Sequence, residues 1–418
     1  MSAVEILPIS SAVSIEANPG MTRAEIRASV SLALIFALRM LGLFLILPVF
    51  AVHAKNHLAG GDNATLVGLA MGAMGLAQAF FHVPLGIASD RYGRKPVIVA
   101  GLVIFAIGSF VAGGAGNIYV AIAGRILQGV GAISAAVMAL VADTTRDEHR
   151  TKAMAMVGAS IGVSFAVSLI VAPLLYRWIG MGGIFDLTGV LALGAILAVL
   201  FIVPNVPMSK AQSVSLVSVL SDRELMRLNY GVFALHLTQI AVFVVVPGAI
   251  VQYVDLPVAE HWKVYLPVVL ASFVLMLPPI FAGERLGKMK QVFIGAIGLL
   301  LLVQIGMWIV LGQSGLHGAL LIALLFAFFV AFNVLEASQP SLVSRMAPPA
   351  AKGAALGMYN TLQSLGVASG GIVGGYLKQH AGPQAVFLVA AVLTVAWLII
   401  ASNMKNLPRR NQVTAAAV

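Results

Sequence analysis

Twelve long apolar runs constrain this chain more than any other feature. They lie at 29–54, 65–89, 96–114, 117–142, 151–178, 182–203, 228–253, 262–282, 290–312, 317–346, 352–378 and 383–402. A helix needs about 20 apolar residues to cross the roughly 30 Å hydrocarbon core of a bilayer. The runs are continuously apolar, without the alternation of a barrel strand, so each is expected to cross as a helix. The predicted fold class is an all-α membrane protein with twelve spans. Charged residues make up 10% of the chain, against about 25% in a soluble domain, and no connection is long enough for a separate soluble domain.

The positions of the charges predict topology. With the N-terminus in the cytoplasm, 19 of the 25 Lys and Arg residues fall on cytoplasmic segments. Lys55, Arg177, Lys263 and Lys378 fall on the other side. This asymmetry places both termini in the cytoplasm and explains the net charge of +10 without a nucleic-acid partner. Cysteine is absent, which excludes disulfides, thiolate nucleophiles and Cys-ligated metals. The first residues lack the basic region of a signal peptide and read as a tail. Met21 is an alternative start that N-terminal sequencing would test. The expected division is a tail over 1–28, a six-helix bundle over 29–203, a Pro- and Ser-containing cytoplasmic linker over 204–227, a second six-helix bundle over 228–402 and a cytoplasmic tail over 403–418.

One connection is densely charged: Gly86-Ile87-Ala88-Ser89-Asp90-Arg91-Tyr92-Gly93-Arg94-Lys95-Pro96. Its charges belong at a membrane surface, Gly93 permits a tight turn, and Pro96 suits the first turn of a helix. A related pattern, Glu284-Arg285-Leu286-Gly287-Lys288, follows 194 residues later. Arg150-Thr151-Lys152-Ala153-Met154 is echoed by Lys352-Gly353-Ala354-Ala355-Leu356 at a spacing of 202. Spacings near half the chain predict two related halves. Gly366, Gly370 and Gly374, with Gly371 and Gly375 beside them, form a stripe expected to permit close helix packing.

Gly86-x-x-x-Asp90-Arg91-x-Gly93-Arg94-Lys95, between spans two and three, resembles the loop motif of the major facilitator superfamily. Arg125-x-x-Gln128-Gly129-x-Gly131-Ala132 in span four is similar to a motif of its drug:proton antiporter branch. Leu38 to Gly42, Ala135 to Leu140, Glu260 to Leu266 and Val330 to Asn333 extend the resemblance to bacterial inner-membrane members, some of which add a small C-terminal domain that this chain is expected to lack. Where the antiporters carry Gly-Pro-x-x-Gly in span five, this chain reads Ala172-Pro173-Leu174-Leu175. The resemblance implies two pseudo-symmetric six-helix bundles around a cavity lined by spans one, four, seven and ten. It also implies a cytoplasmic latch of Gly86, Asp90, Arg91, Gly93, Arg94, Lys95 and Asp143. In that latch Asp90 faces the start of span eleven and Arg94 pairs with Asp143.

The residues themselves suggest where a cavity lies. A charge at mid-span costs about 2.5–3.5 kcal/mol, yet Arg39, Arg125 and Glu336 lie within spans. With Gln128, His236, Gln239, Asn333 and Gln339 they are the candidate cavity residues. Glu336 is the leading proton carrier, because burial favours the neutral carboxyl, and Asn333 and Gln339 lie one turn either side. Gln78 with His82, and Asn360 with Gln363, are polar pairs at helical spacing that either line the cavity or bridge helices, with bridging the favoured reading. His53 and His57 have no acidic partner nearby, so no metal site is read from them. The chain has no phosphate-binding loop and no other enzyme signature, and no cofactor is expected. The expected function is a monomeric secondary transporter in a bacterial inner membrane, exporting small amphipathic compounds against protons. Alternatives are a metabolite facilitator or proton symporter, and a non-transporting sensor or scaffold of the same fold.

Overall fold

A computed structural model describes residues 20–205, 216–312, 318–348 and 352–405. The expected N-terminal tail up to residue 19, the middle of the expected linker and the basic tail beyond Lys405 lie outside the described residues.

The first crossing is broken. α1 (Arg23–Phe44) and α2 (Phe50–His57) flank a turn containing Pro48, which has no amide hydrogen to carry the helix on. Thr22 and Glu25 close a capping box at the start of α1. Asn63 caps α3 (Ala64–Tyr92), accepting from the Thr65 amide at 2.9 Å. α4 (Arg94–Gly113) follows after Gly93. α5 (Ile118–Val130) and α6 (Ser134–Asp143) form one crossing interrupted at Gly131.

α7 (Asp147–Phe201) runs for 55 residues, about 80 Å if straight, far more than a bilayer. It is two crossings joined at Gly180, whose φ of 67° and ψ of −176° interrupt the helix. The sequence reads a short connection at this point. The structure compresses it to this single break.

The short α8 (Leu216–Ser221) leads to α9 (Arg223–Tyr253), capped by Asp222. α10 (Trp262–Leu286), α11 (Met289–Leu311), α12 (Gly318–Met346), α13 (Lys352–Ala381) and α14 (Pro383–Ser402) complete the chain. Ten helices among the described residues are long and apolar enough to cross a membrane. With α7 counted as two and the glycine-rich 30-residue α13 included, the crossings number twelve.

The halves echo each other at their turns. Gly93 (φ 100°) and Gly287 (φ 68°) both adopt left-handed backbone at the ends of corresponding crossings, as do Gly180 (φ 67°) and Gly382 (φ 85°). The ion pairs beside the first two turns have opposite polarity. Arg94 of one turn binds Asp143 at the end of α6, whereas Glu284 of the other binds Arg345 at the end of α12. These turns lie on the same face as Glu25, Arg146, Arg227 and Lys290, called the basic face below.

Within the first half α7 packs on α1 and α4, and α5 packs on α3 and α4. Within the second, α11 packs on α12 and α14, and α9 on α12 and α14. The main bond between halves is α3 against α13. An added Cβ on Gly72 would sit 2.6 Å from the Ala368 carbonyl oxygen, and one on Gly371 would sit 2.6 Å from the Gly72 nitrogen. Gly68 and Gly375 are equally crowded, so the two backbones touch. Where the sequence reads the α13 stripe as packing in general, the structure identifies its partners: Gly371 and Gly375 meet α3, while Gly366 and Gly370 meet α9. The contact continues in the Gln379 side chain, which accepts the amide of Ala64 at 2.7 Å at the very start of α3. All of this lies away from the basic face. Towards the basic face the two helices part. The close contact ends at Gly75, where an added Cβ would sit 2.7 Å from the Ser364 carbonyl oxygen, and the next glycines towards the basic face are Gly86 on α3 and Gly357 on α13. An added Cβ on Gly86 meets only Ala135 of its own half, and one on Gly357 meets nothing.

Candidate functional site

Two half-buried seams hold the polar residues. At the basic face Gly93 turns the chain so that Arg94 begins α4 and folds back on the end of α3. Arg94 Nε donates to Asp143 Oδ2 at 3.0 Å and Nη1 to Ser89 Oγ at 2.9 Å; Nη1 also binds Asp90. The sequence allows a bidentate grip on Asp143, but the fork is shared among three acceptors. The Arg94 and Asp143 side chains are buried, whereas Asp90 is 60% exposed. Asp90 is thus engaged within its own half rather than with the start of α13. Lys95 Nζ donates to the Val203 carbonyl at 2.5 Å, and Arg91 lies 5.4 Å from the centre of the Tyr92 ring.

At mid-span, α9, α12 and α13 bring together His236, Glu336 and Gln363. His236 Nδ1 lies 3.0 Å from the Val232 carbonyl, an acceptor only, so it is Nδ1 that carries the proton and donates. Nε2 is then an acceptor, filled by Gln363 Nε2 at 2.7 Å. Glu336 Oε2 lies 3.5 Å from the same Nε2, outside hydrogen-bond reach and within ion-pair distance of a protonated ring. The Glu336 side chain is 20% exposed. Tyr359, one turn before Gln363 on α13, is buried and its hydroxyl has no partner among the described residues. Phe332 packs edge-on against His236.

Immediately further from the basic face is an aromatic cluster. Phe165 of α7 packs on Phe44 of α1 at 5.1 Å and on Phe332 of α12 at 5.3 Å between ring centres, with Phe243 of α9 also in contact. Helices of both halves are joined through one ring. Sequence reasoning missed this cluster, since isolated phenylalanines in apolar runs carry no local signal. It favoured a bridge over a cavity role for Gln363. Gln363 does bridge α13 to α9, and that contact makes it part of the site.

The structure corrects the position of several expected cavity residues. Arg125 and Gln128 are fully buried within the first half. Arg125 Nη1 donates to Gln128 Oε1 at 2.7 Å, its Nε and Nη1 point at the Ala70 and Gly42 carbonyls at 3.4 and 3.5 Å, and Gln128 Nε2 donates to Ser109 Oγ at 2.8 Å. All these partners come from one bundle, and they take up Nε and Nη1 of the guanidinium, while Nη2 has no partner among the described residues. Arg39 is buried as well, donating to Ser134 Oγ at 2.8 Å. Asn333 turns away from Glu336 and donates to Ser272 Oγ on α10 at 2.9 Å. Gln239 and Gln339 are buried, and the Gln339 carboxamide has no partner among the described residues. His82 and Ser364, 3.1 Å apart, bridge α3 and α13 as read from sequence.

Replacing Arg125 with Ala removes the hub of this interior network and leaves the buried Gln128 Oε1 without its donor. We expect a loss of about 3 kcal/mol or more in stability, read as a lowered unfolding midpoint in detergent. An unchanged midpoint would contradict the network's structural role.

The Major Facilitator Superfamily model matches residues 32–370 and 283–417. The inner membrane transport protein YajR of Escherichia coli is 42% identical over 93% of this chain and 85% of its own. The multidrug resistance protein MdtH of Aeromonas hydrophila is 26% identical over 89% of this chain and 94% of its own. A solved bacterial homologue of the human lysosomal transporter Spinster shares the fold, with a TM-score of 0.69 at 12% identity over 92% of this chain and 98% of that one. Sequence and fold agree from the first crossing to the last: the chain belongs to the Major Facilitator Superfamily and is a secondary transporter rather than an enzyme.

Proposed function

We propose that this protein is a proton-coupled antiporter that exports small amphipathic compounds from the cytoplasm across a bacterial inner membrane by alternating access. The observation that carries this reading is the Glu336–His236–Gln363 cluster between the half-buried faces of α9, α12 and α13. The basic face is taken as cytoplasmic on the charge asymmetry, and the halves as bodies over 29–203 and 228–402.

On this reading Glu336 is reached from the cytoplasmic side, where α3 and α13 leave open space at Gly86 and Gly357, and the Phe165 cluster shuts the other. Closing the cytoplasmic side around a bare carboxylate incurs the cost of a charge at mid-bilayer, about 2.5–3.5 kcal/mol. A proton on Glu336, or an amphipathic ligand that neutralises it, removes that cost. Reorientation then requires one or the other, which is exchange. His236 can take up the same proton through Nε2 once Gln363 moves. The resistance function in MdtH's name supports export as the direction.

The latch belongs to the opposite state. There Asp90 would leave solvent and meet the start of α13, where a carboxylate is favoured by the helix dipole, while Gly86 and Gly357 would close as Gly72 and Gly371 do now. Asp90→Asn should weaken transport by a few-fold at equal membrane abundance, since an exposed helix-terminus charge is worth about 0.3–1 kcal/mol. Wild-type rates would exclude the latch.

The deciding experiment is flux in proteoliposomes under an imposed pH gradient. Gradient-driven efflux supports antiport. Co-uptake or gradient-independent flux selects the symporter or facilitator, and no flux across a broad panel selects the sensor or scaffold.

A further inference from the structure

Between the start of α9 and the end of α14, at the basic face, lies an open groove of about 410 Å³. Its inner wall is apolar, formed by Met226, Tyr230, Ile399 and Ile400. Its mouth carries Arg223 and Arg227, and Lys405 lines an adjoining hollow that shares both arginines and Asn403.

The acids nearby are already engaged. Asp222 caps α9 by accepting the Glu224 amide at 2.9 Å, and Glu224 binds Arg227 and accepts the Lys405 amide at 3.2 Å. Arg227 also donates to the Asn403 carbonyl at 2.7 Å, which ties the ends of the two helices together. Arg223 and the Lys405 ammonium make no ion pair among the described residues, and both are exposed. The groove mouth therefore carries a net positive charge, with Arg223, Arg227 and Lys405 against Asp222 and Glu224.

The groove also has a direction. Leu388, Val392, Val395 and Ile399 recur at helical spacing along α14 and are all exposed, so they form a stripe that faces hydrocarbon. The stripe runs into the groove at Ile399. A ligand that fits would bear an anionic head at Arg223 and Lys405 and an apolar tail along the stripe.

We infer that this groove binds the headgroup of an anionic phospholipid, with its phosphate at Arg223 and Lys405 and an acyl chain along α14. A soluble anion would use the mouth and leave the apolar wall unused. The proposal is independent of the transport reading, because none of these residues belongs to the Glu336 cluster or the latch.

The test is native mass spectrometry of the purified protein with phosphatidylglycerol, with phosphatidylcholine as the zwitterionic control and glycerol phosphate as a competitor. Phosphatidylglycerol should be retained preferentially, and glycerol phosphate should fail to displace it. A basic residue near an anionic membrane surface is worth about 1 kcal/mol, so Arg223→Gln and Lys405→Gln should each weaken retention about five-fold, and the double variant more. Unfolding in phosphatidylcholine nanodiscs, expected unchanged for these exposed sites, separates lost binding from lost folding. Equal retention of the two lipids, wild-type retention by a folded double variant, or full displacement by glycerol phosphate would each overturn the proposal.

Discussion

Glu336→Gln should abolish proton-driven accumulation while leaving the protein folded in the membrane. The amide keeps the size and the neutral hydrogen-bonding character of a protonated carboxyl but can neither gain nor lose a proton. A gradient of about 100 mV supplies about 2.3 kcal/mol per charge moved, equivalent to roughly a 50-fold concentration ratio. In the variant this ratio should collapse towards one in proteoliposomes, while counterflow of substrate with no pH gradient persists. His236→Gln should give a milder phenotype, a displaced pH profile, because His236 Nε2 lies 3.5 Å from the carboxylate, outside direct hydrogen-bond reach. If Glu336→Gln kept its full gradient-driven ratio, the proton would have to be carried elsewhere.

The second large effect is conformational. Gly371→Val should prevent closure of the face opposite the basic one. Its added carbons would enter the backbone of α3 at Gly68 and Gly72, which cannot move aside as the end of a flexible side chain could. Overpacking of this kind costs about 1–3 kcal/mol, a shift of roughly 5- to 150-fold between two states. Transport should fall accordingly, and thiol labelling should rise at a cysteine placed in the Phe165 layer. The chain has no cysteine of its own, so such labels report single positions. Gly357→Val on the same helix, where the structure leaves open space, should leave this face closed and obstruct the other. If both variants gave the same labelling pattern, the two ends of the α3–α13 contact would not be alternatives.

Much of this architecture was legible in the chain. Apolar runs of bilayer length gave the crossings, because lipid offers no partners for an unpaired backbone and forces helices. Gly93 was identifiable as a turn because only glycine takes left-handed backbone cheaply beside flanking charges. Where sequence reasoning fell short was in direction around each helix. It located Arg39, Arg125 and Glu336 at mid-span, but depth along an axis does not say which neighbour a side chain faces. Arg125 turned into its own bundle, where Gly42, Ala70 and Gln128 accept from it. Asn333, one turn from Glu336, turned to Ser272.

The sequence by itself determined the solvent, the crossings, the family and the charged turn, since each depends on residues adjacent in the chain and on the energy of moving them out of water. Only the tertiary structure decided which helices touch through bare backbone, that Phe44, Phe165, Phe243 and Phe332 form one layer, and that Gln363 and His236 join Glu336. Those pairings link residues on different helices, Phe44 with Phe165 and His236 with Gln363 being more than a hundred positions apart in sequence, and they are set by how packed helices lean on one another rather than by any local preference of the chain.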